Sequence, residues 1–150
     1  MKKTAIILGL ILFSYGASQA QELVELLKKD LNKEKRALVA EAMDIKEENK
    51  TNFWQLYGEY ETETNRLIDL RAKNIKKFAE SFENLNDDVA SDLVSTYFEI
   101  ETGKLKNNKT YYKKMKKIIG AVQAARFIQI MEQVQLLIDV QIASEVPLVE

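Results

Sequence analysis

The sequence contains no histidine and no cysteine, and it contains one proline in 150 residues. Histidine and cysteine are the side chains that most often serve as general base, covalent nucleophile or zinc ligand. Their absence disfavours catalysis and metal binding, and no motif in the chain implies a cofactor. Without cysteine the chain has no disulfide, so packing must supply its stability. The scarcity of proline favours long helices, and we expect a helical binding protein rather than an enzyme.

The first twenty residues have the three parts of an export signal. Two lysines form a basic start, an apolar run follows, and Ser-Gln-Ala forms a small-x-small cleavage site at the end. The apolar run is much shorter than the roughly 20 residues that span a bilayer, so we expect cleavage rather than an anchor. The sequence predicts a signal peptide over residues 1–20, cleavage before Gln21, and a single domain over residues 21–150.

Charge is distributed unevenly along the chain. Residues 37–101 carry a formal charge of −8, whereas residues 102–131 carry +8 and contain no acidic side chain. One interpretation is a solvated helix face that packs against the acidic middle of the same chain. The other is a basic surface that binds a partner. The export signal and the sequence pI of about 5.7 disfavour nucleic acid as that partner.

Apolar residues recur at three- and four-residue steps and predict an all-α fold of four helices in an antiparallel bundle. The first helix ends at a break over 43–45, the second runs from about 46 to 82, the third ends at Gly120, and the fourth runs over about 121–143. The side chains expected to face inward in the third and fourth helices are Val89, Leu93, Tyr97, Ile100, Leu105, Tyr112, Met115, Ile119, Val122, Phe127, Ile130, Val134, Leu137 and Val140.

Two helix starts have capping signals. Asp44, three residues before Glu47, predicts a capping box. Asn86 is a preferred N-cap residue, and Asp87 and Asp88 follow it in the first turn, where the helix dipole favours negative charge.

Five short runs of the sequence carry a family resemblance. They are Arg-Ala-Leu to Met-Asp-Ile at 36–45, Phe-Trp-Gln-Leu-Tyr at 53–57, Leu-Asn-Asp-Asp at 85–88, Ala-Ala-Arg-Phe-Ile-Gln at 124–129 and Glu-Val-Pro-Leu-Val at 145–149. In this order and spacing the chain resembles the Spy/CpxP-like (LTXXQ) periplasmic family. It is most similar there to short exported helical proteins of Bacteroidetes-type bacteria labelled sensors of extracytoplasmic-function sigma factors.

The resemblance implies a curved four-helix bundle in the periplasm, usually a homodimer, that binds other proteins and has no membrane span after signal cleavage. The leading function that it implies is ATP-independent, chaperone-like binding of unfolded proteins under envelope stress. The alternative is a sensor or regulatory partner of a membrane signalling protein, such as an extracytoplasmic-function sigma/anti-sigma system.

The candidate residues fall into two groups. Lysines attract acidic or unfolded partners, and a flexible methionine or an aromatic side chain then holds them. The residues expected to bind protein are Lys106, Lys109, Lys113, Met115, Lys116, Lys117 and Trp54. The second group is structural: Asp44 and Asn86 as caps, Tyr57 on the core stripe, and Arg126 paired with a carboxylate of the second helix. The alternative for Arg126 is contact with a partner protein.

Overall fold

The computed structural model describes residues 32–146, which form three helices. Helix α1 includes residues 32–42, α2 spans Glu47–Ser81, and α3 spans Asp87–Glu145. A short 3-10 helix, Phe82–Asn84, joins α2 to α3. No strand occurs within 32–146, so the predicted all-α class is confirmed there. The predicted signal peptide and the beginning of the predicted first helix lie outside the described residues.

Helix α3 changes direction at Gly120, where the backbone has φ 81° and ψ 166°. Lys104 and Asp139 lie on either side of this glycine, yet their charged groups approach to 3.9 Å. A continuous helix would separate residues so far apart in sequence by about 50 Å, so the chain must turn back at Gly120. We name residues 87–119 the first arm of α3 and residues 121–145 the second arm. Within residues 32–146 the structure thus has three helices where the sequence predicts four, and Gly120, the predicted boundary between the last two, is the residue at which α3 is interrupted.

The first arm of α3 packs antiparallel to α2. Near the end of α2, the Asn74 side chain donates a hydrogen bond to the backbone oxygen of Leu93 at 3.1 Å. Earlier in α2, the Tyr60 hydroxyl donates to the side chain of Asn108, also at 3.1 Å. The residue numbers of the contacts rise in α3 as they fall in α2, so the two helices run in opposite directions.

An aromatic cluster lies at the centre of the core. The Phe127 ring, on the second arm, meets the rings of Tyr60 and Phe53 edge to face, with centroids 5.2 Å and 6.0 Å away. Edge-to-face pairs contribute about 0.5–1.5 kcal/mol beyond the burial of their area. The buried core residues around these rings are Val39, Met43, Phe53, Tyr57, Tyr60, Met115, Ala124, Phe127 and Met131.

The weak helix formers in the middle of the first arm do not break it. Gly103 lies so close to α2 that an added Cβ would be 2.6 Å from a methyl carbon of Leu67, so the glycine permits the close approach of the two helices. The buried Asn107 amide donates hydrogen bonds to the backbone oxygen of Tyr60 and the hydroxyl of Thr64, both at 3.1 Å. The helix therefore continues through residues 103–108. Gly103 and Asn107 both contribute to its contact with α2.

The two predicted caps have different outcomes. Asn86 lies at the N-cap of α3, and its side chain accepts a hydrogen bond from the Val89 amide at 3.0 Å. The capping box predicted for Asp44 is wrong. Helix α2 begins two residues later than that motif requires, with Lys46 at the N-cap and no side-chain cap. Two glutamates, Glu47 and Glu48, lie in its first turn instead, where the helix dipole favours negative charge.

Candidate functional site

The solvent-facing side of the first arm carries four large exposed apolar side chains. Val94 and Leu105 are eleven residues apart, which places them within about 20° of each other around the helix. We define the apolar patch as the four large, exposed side chains of this arm, each at least half accessible: Val94, Tyr97, Phe98 and Leu105. Val94, Phe98 and Leu105 lie within about 40° of one another around the helix, and Tyr97 lies about 60° to one side of Val94.

Five exposed lysines continue this side of the helix toward Gly120. We define the lysine cluster as Lys106, Lys109, Lys113, Lys116 and Lys117. None of the five forms an ion pair with a residue in the described part of the chain, which distinguishes them from their neighbours. Lys114 pairs with Glu59 at 2.8 Å, and Lys104 pairs with Glu101 at 2.8 Å. The pair between Lys114 and Glu59 matches the interpretation in which the basic block packs against the acidic middle of the chain, and the charge of Lys106 also acts on the Glu63 carboxylate of α2.

A shallow groove lies where the apolar patch meets the lysine cluster. It has a volume of about 380 Å³ and is open to solvent. Its lining residues are Thr102, Leu105, Lys106, Lys109, Thr110 and Lys113. Because all of them project from one helix, the groove is a depression between long side chains, and it suits an extended or helical chain laid along the arm.

Met115 and Trp54, predicted to bind protein together with the lysines, lie elsewhere. Met115 is fully buried in the core, so its assignment to a binding surface is wrong. Trp54 is half-buried on α2, where its ring contacts that of Tyr57 and carries the Arg36 guanidinium 4.4 Å from its centroid. The attraction between the Arg36 cation and the Trp54 ring stabilises the contact of α1 with α2. These contacts give Trp54 a packing role.

The structural assignments of Arg126 and Tyr57 also have opposite outcomes. The Arg126 side chain is exposed and makes no ion pair with the described residues, so the predicted pair with a carboxylate of α2 is wrong. Arg126 is one residue before the buried Phe127, and that step of about 100° turns it to solvent. Tyr57 is 1% exposed, as a core position requires.

Two buried tyrosines have shifted ionisation. Burial, with a further contribution from neighbouring Glu61, raises the pKa of Tyr57, whose hydroxyl donates to that carboxylate at 3.3 Å. Burial raises the pKa of Tyr60 to about 12. Both rings are therefore neutral packing groups at physiological pH.

A small cavity borders the same tyrosines. Lys35, on α1, is 7% exposed and contributes to its wall with Glu61 and Gln135. Burial lowers the pKa of Lys35, and the nearby Glu61 carboxylate partly offsets this. The cavity volume of about 20 Å³ suits a single water molecule, so it is too small for an organic ligand.

The sequence reasoning missed the apolar patch because it placed part of that patch in the core. Tyr97 and Leu105 were expected to face inward, but they are 53% and 54% exposed. Leu105 follows the buried Ile100 by five residues, a rotation of about 140° around the helix. Angles taken strictly at 100° per residue would therefore have placed Leu105 away from the core. The same error affects three residues of the second arm that are exposed rather than inward, namely Val122, Leu137 and Val140.

The described residues thus form an all-α fold in which one helix exposes an apolar patch next to a lysine cluster. No protein-family model, curated protein or solved structure matches the chain. Across residues 32–146, no helix is both long and apolar enough to cross a membrane.

Proposed function

We propose that this protein binds other proteins in the periplasm without ATP, as a chaperone-like factor of the envelope. The observation that supports this function is the solvent side of the first arm, where the apolar patch runs directly into the lysine cluster. Exposed apolar side chains cost solubility, so a group of four beside a charged rim is typical of an interaction site.

The lysine cluster provides the first step of binding. Neighbouring lysines are at most four residues apart, a rise of about 6 Å along the helix. This is within a Debye length of about 8 Å at physiological salt, so their fields add. An acidic or partly unfolded chain is attracted over this distance before any contact forms. Salt should therefore slow association.

The apolar patch provides the second step. Tyr97 and Phe98 present large ring surfaces with few rotatable bonds, so they gain contact area at a small entropic cost. They take the role that the sequence suggested for Met115. Because this step depends on apolar contact, salt should not weaken it.

We further propose that the bundle works as four helical segments of the Spy/CpxP-like kind, with Gly120 separating the last two. The antiparallel contacts of α2 with the first arm and the turn at Gly120 support this description. The five sequence runs that resemble the family support it independently.

The test is suppression of aggregation of an unrelated unfolding protein, followed by light scattering without ATP at low and high salt. The wild-type protein should delay aggregation. Replacing the lysine cluster with glutamine should reduce the delay at low salt, while circular dichroism shows an unchanged fold. The matched control replaces five exposed lysines outside α3 with glutamine, so the net charge changes by the same amount. It should leave the delay unchanged. The five control residues are Lys33, Lys46, Lys50, Lys73 and Lys76.

A second pair of variants tests the apolar step. Replacing the apolar patch with serine should remove protection at both salt concentrations. The control replaces with serine four apolar residues of the second arm that are at least as exposed, and it should retain protection: Val122, Leu136, Leu137 and Val140. If the wild-type protein gives no protection at several-fold molar excess, the chaperone proposal fails, and a dedicated partner in a membrane signalling system replaces it.

A further inference from the structure

The lysine cluster lies on the side of the first arm that points away from the rest of the bundle. Taken at 100° per residue, the five lysines are centred about 160° around the helix from the buried side chains of the same arm. Those buried side chains are Leu93, Ile100, Asn107 and Met115. The lysines extend about 16 Å along the helix axis, from Lys106 to Lys117. An extended surface can therefore approach all five ammonium groups without meeting α2 or the second arm.

The shallow groove beside these lysines is lined by hydrogen-bond donors and has no carboxylate. Three of its side chains are lysines and two are threonines, with Leu105 at one edge. The acidic residues that precede it in the helix are Glu101, which forms an ion pair with Lys104, and Glu99. Glu99 lies about 10 Å from Lys106 along the axis. That separation exceeds the Debye length of about 8 Å, so the groove favours anionic groups such as phosphate.

Apolar side chains of the same arm lie in line with part of the lysine cluster. Phe98, Leu105, Lys109 and Lys116 fall within about 40° of one another around the helix. Phe98 and Leu105 are both exposed. Helices that lie in a membrane interface combine lysine or arginine with phenylalanine, tryptophan or leucine in this way. A phospholipid surface suits both kinds of side chain, because its phosphates lie directly above hydrocarbon.

We propose that the lysine cluster docks this protein on the surface of an anionic phospholipid membrane, with Phe98 and Leu105 entering the headgroup layer. Clusters of four to eight basic residues on one amphipathic helix are typical of anionic lipid binding. Folded protein surfaces mix charges of both signs. An anionic phospholipid surface instead presents charges of one sign along the full length of the cluster, so the pattern favours lipid.

The acidic parts of the chain do not prevent this contact. The axes of packed helices are about 8–10 Å apart, so α2 lies behind the first arm by at least a Debye length. The Glu59 carboxylate of α2 is also paired with Lys114. Asp87 and Asp88 are exposed, but they lie about 27 Å or more from Lys106 along the helix. A small tilt keeps that end of the arm away from the lipid.

Docking uses the lysines that we propose for the first step of client binding, so the two uses compete. This consequence, unlike the docking itself, rests on the proposed function. Phosphatidylglycerol vesicles added to the aggregation assay should therefore shorten the delay that the protein gives.

Vesicle flotation of the full chain tests the docking. Vesicles that contain phosphatidylglycerol are compared with vesicles of phosphatidylcholine alone. All variants keep the apolar run of the first twenty residues, so any binding through that run is common to them. The wild-type protein should prefer the anionic vesicles, and salt should weaken the preference. Replacing the lysine cluster with glutamine should lower the affinity for them by about 100-fold or more, because each lysine near such a surface contributes about fivefold.

The matched control is the variant with five exposed lysines outside α3 replaced by glutamine. It has the same net charge as the lysine-cluster variant and should lose less than about fivefold in affinity. Circular dichroism establishes that both variants fold. Equal losses in the two variants would show that net charge alone governs binding, which overturns the docking site.

A fluorescent label tests the orientation. The sequence contains no cysteine, so one introduced cysteine carries the only label. Thr102→Cys places the label in the groove, and Thr62→Cys places it at an exposed position of α2. An environment-sensitive label at position 102 should shift to shorter wavelength with anionic vesicles, and a label at position 62 should not. Equal shifts at both positions would contradict the orientation.

The remaining outcomes separate lipid from other ligands and from the proposed function. Release of the protein from vesicles by soluble glycerol phosphate, at constant ionic strength, would assign the cluster to free anions and overturn the docking. Protection of an unfolding protein without any preference for anionic vesicles would assign the cluster to clients, which overturns the docking and leaves the proposed function in place. A preference for anionic vesicles without protection would support the docking, and only the proposed function would fail.

Discussion

The two sides of the first arm of α3 share one backbone and differ in almost every other respect. On the core side, Ile100 and Met115 are buried, and the amide of Asn107 has two hydrogen-bond acceptors on α2. On the solvent side, the apolar patch is exposed, and the lysine cluster makes no ion pair with the described residues. One helix therefore supplies both stability and a binding surface, and substitutions on its two sides should have separable effects.

The largest effect is expected at Met115, the methionine that the sequence placed on the binding surface. Met115→Ala should lower the free energy of unfolding by about 2–5 kcal/mol, through lost burial and a residual cavity. Its exposed neighbour Lys116→Ala is the matched control and should change stability by less than about 0.5 kcal/mol. Chemical denaturation measures both. Equal effects for the two variants would show that the sides are not distinct.

The turn at Gly120 keeps the second arm against the core, and it should be the next most sensitive position. Its φ of 81° and ψ of 166° are adopted almost only by glycine, so Gly120→Ala should cost about 1–3 kcal/mol. Gly58 lies within α2 with open space around it, and Gly58→Ala should stabilise by about 0.5–1 kcal/mol. Thermal unfolding of the two variants should therefore shift in opposite directions. A shift in the same direction would argue against the turn.

Alkaline pH should destabilise the core side of the molecule, where two tyrosines are buried. Tyr57 and Tyr60 ionise near pH 10 when unfolded, and burial raises the pKa of each in the folded protein. Their contribution is fully present below pH 10 and is lost as pH rises toward about 12, the folded pKa of Tyr60. We expect Tyr60 alone to contribute a loss of about 2 kcal/mol over this range. Replacing both tyrosines with phenylalanine should reduce the dependence, and an unchanged profile would show that the rings are not buried.

The smallest effect on stability is expected for the lysine cluster. Each lysine-to-glutamine substitution should change the free energy of unfolding by no more than about 0.5 kcal/mol, because none of the five side chains has an ion pair to lose. Guanidinium titration of the five single variants is the measurement. A loss above about 1 kcal/mol at any position would reveal a structural contact on this side.

Sequence periodicity predicted the helical class, the break at 43–45, the extent of α2 and the cap at Asn86, because local signals determine these features. The capping box predicted at Asp44 was wrong, because the first turn of α2 begins after Lys46 and not after Asp44. Periodicity also failed for Leu105 and Met115, whose burial depends on rotations about the helix of the order of 100°. The lysine cluster was predicted as a group, but its lack of intramolecular partners depends on how α2 and α3 pack, which composition does not encode.

Site-specific photo-crosslinking tests the separation of the two sides most directly. A photoreactive residue replaces Lys109, within the lysine cluster, and in a control variant it replaces Lys73, an exposed lysine of α2. Each variant is irradiated at low concentration with an excess of labelled unfolding protein. We expect the labelled protein to be captured at position 109 and not at position 73. Equal capture at both positions, or capture at position 73 alone, would contradict the assignment of the binding surface to the first arm of α3.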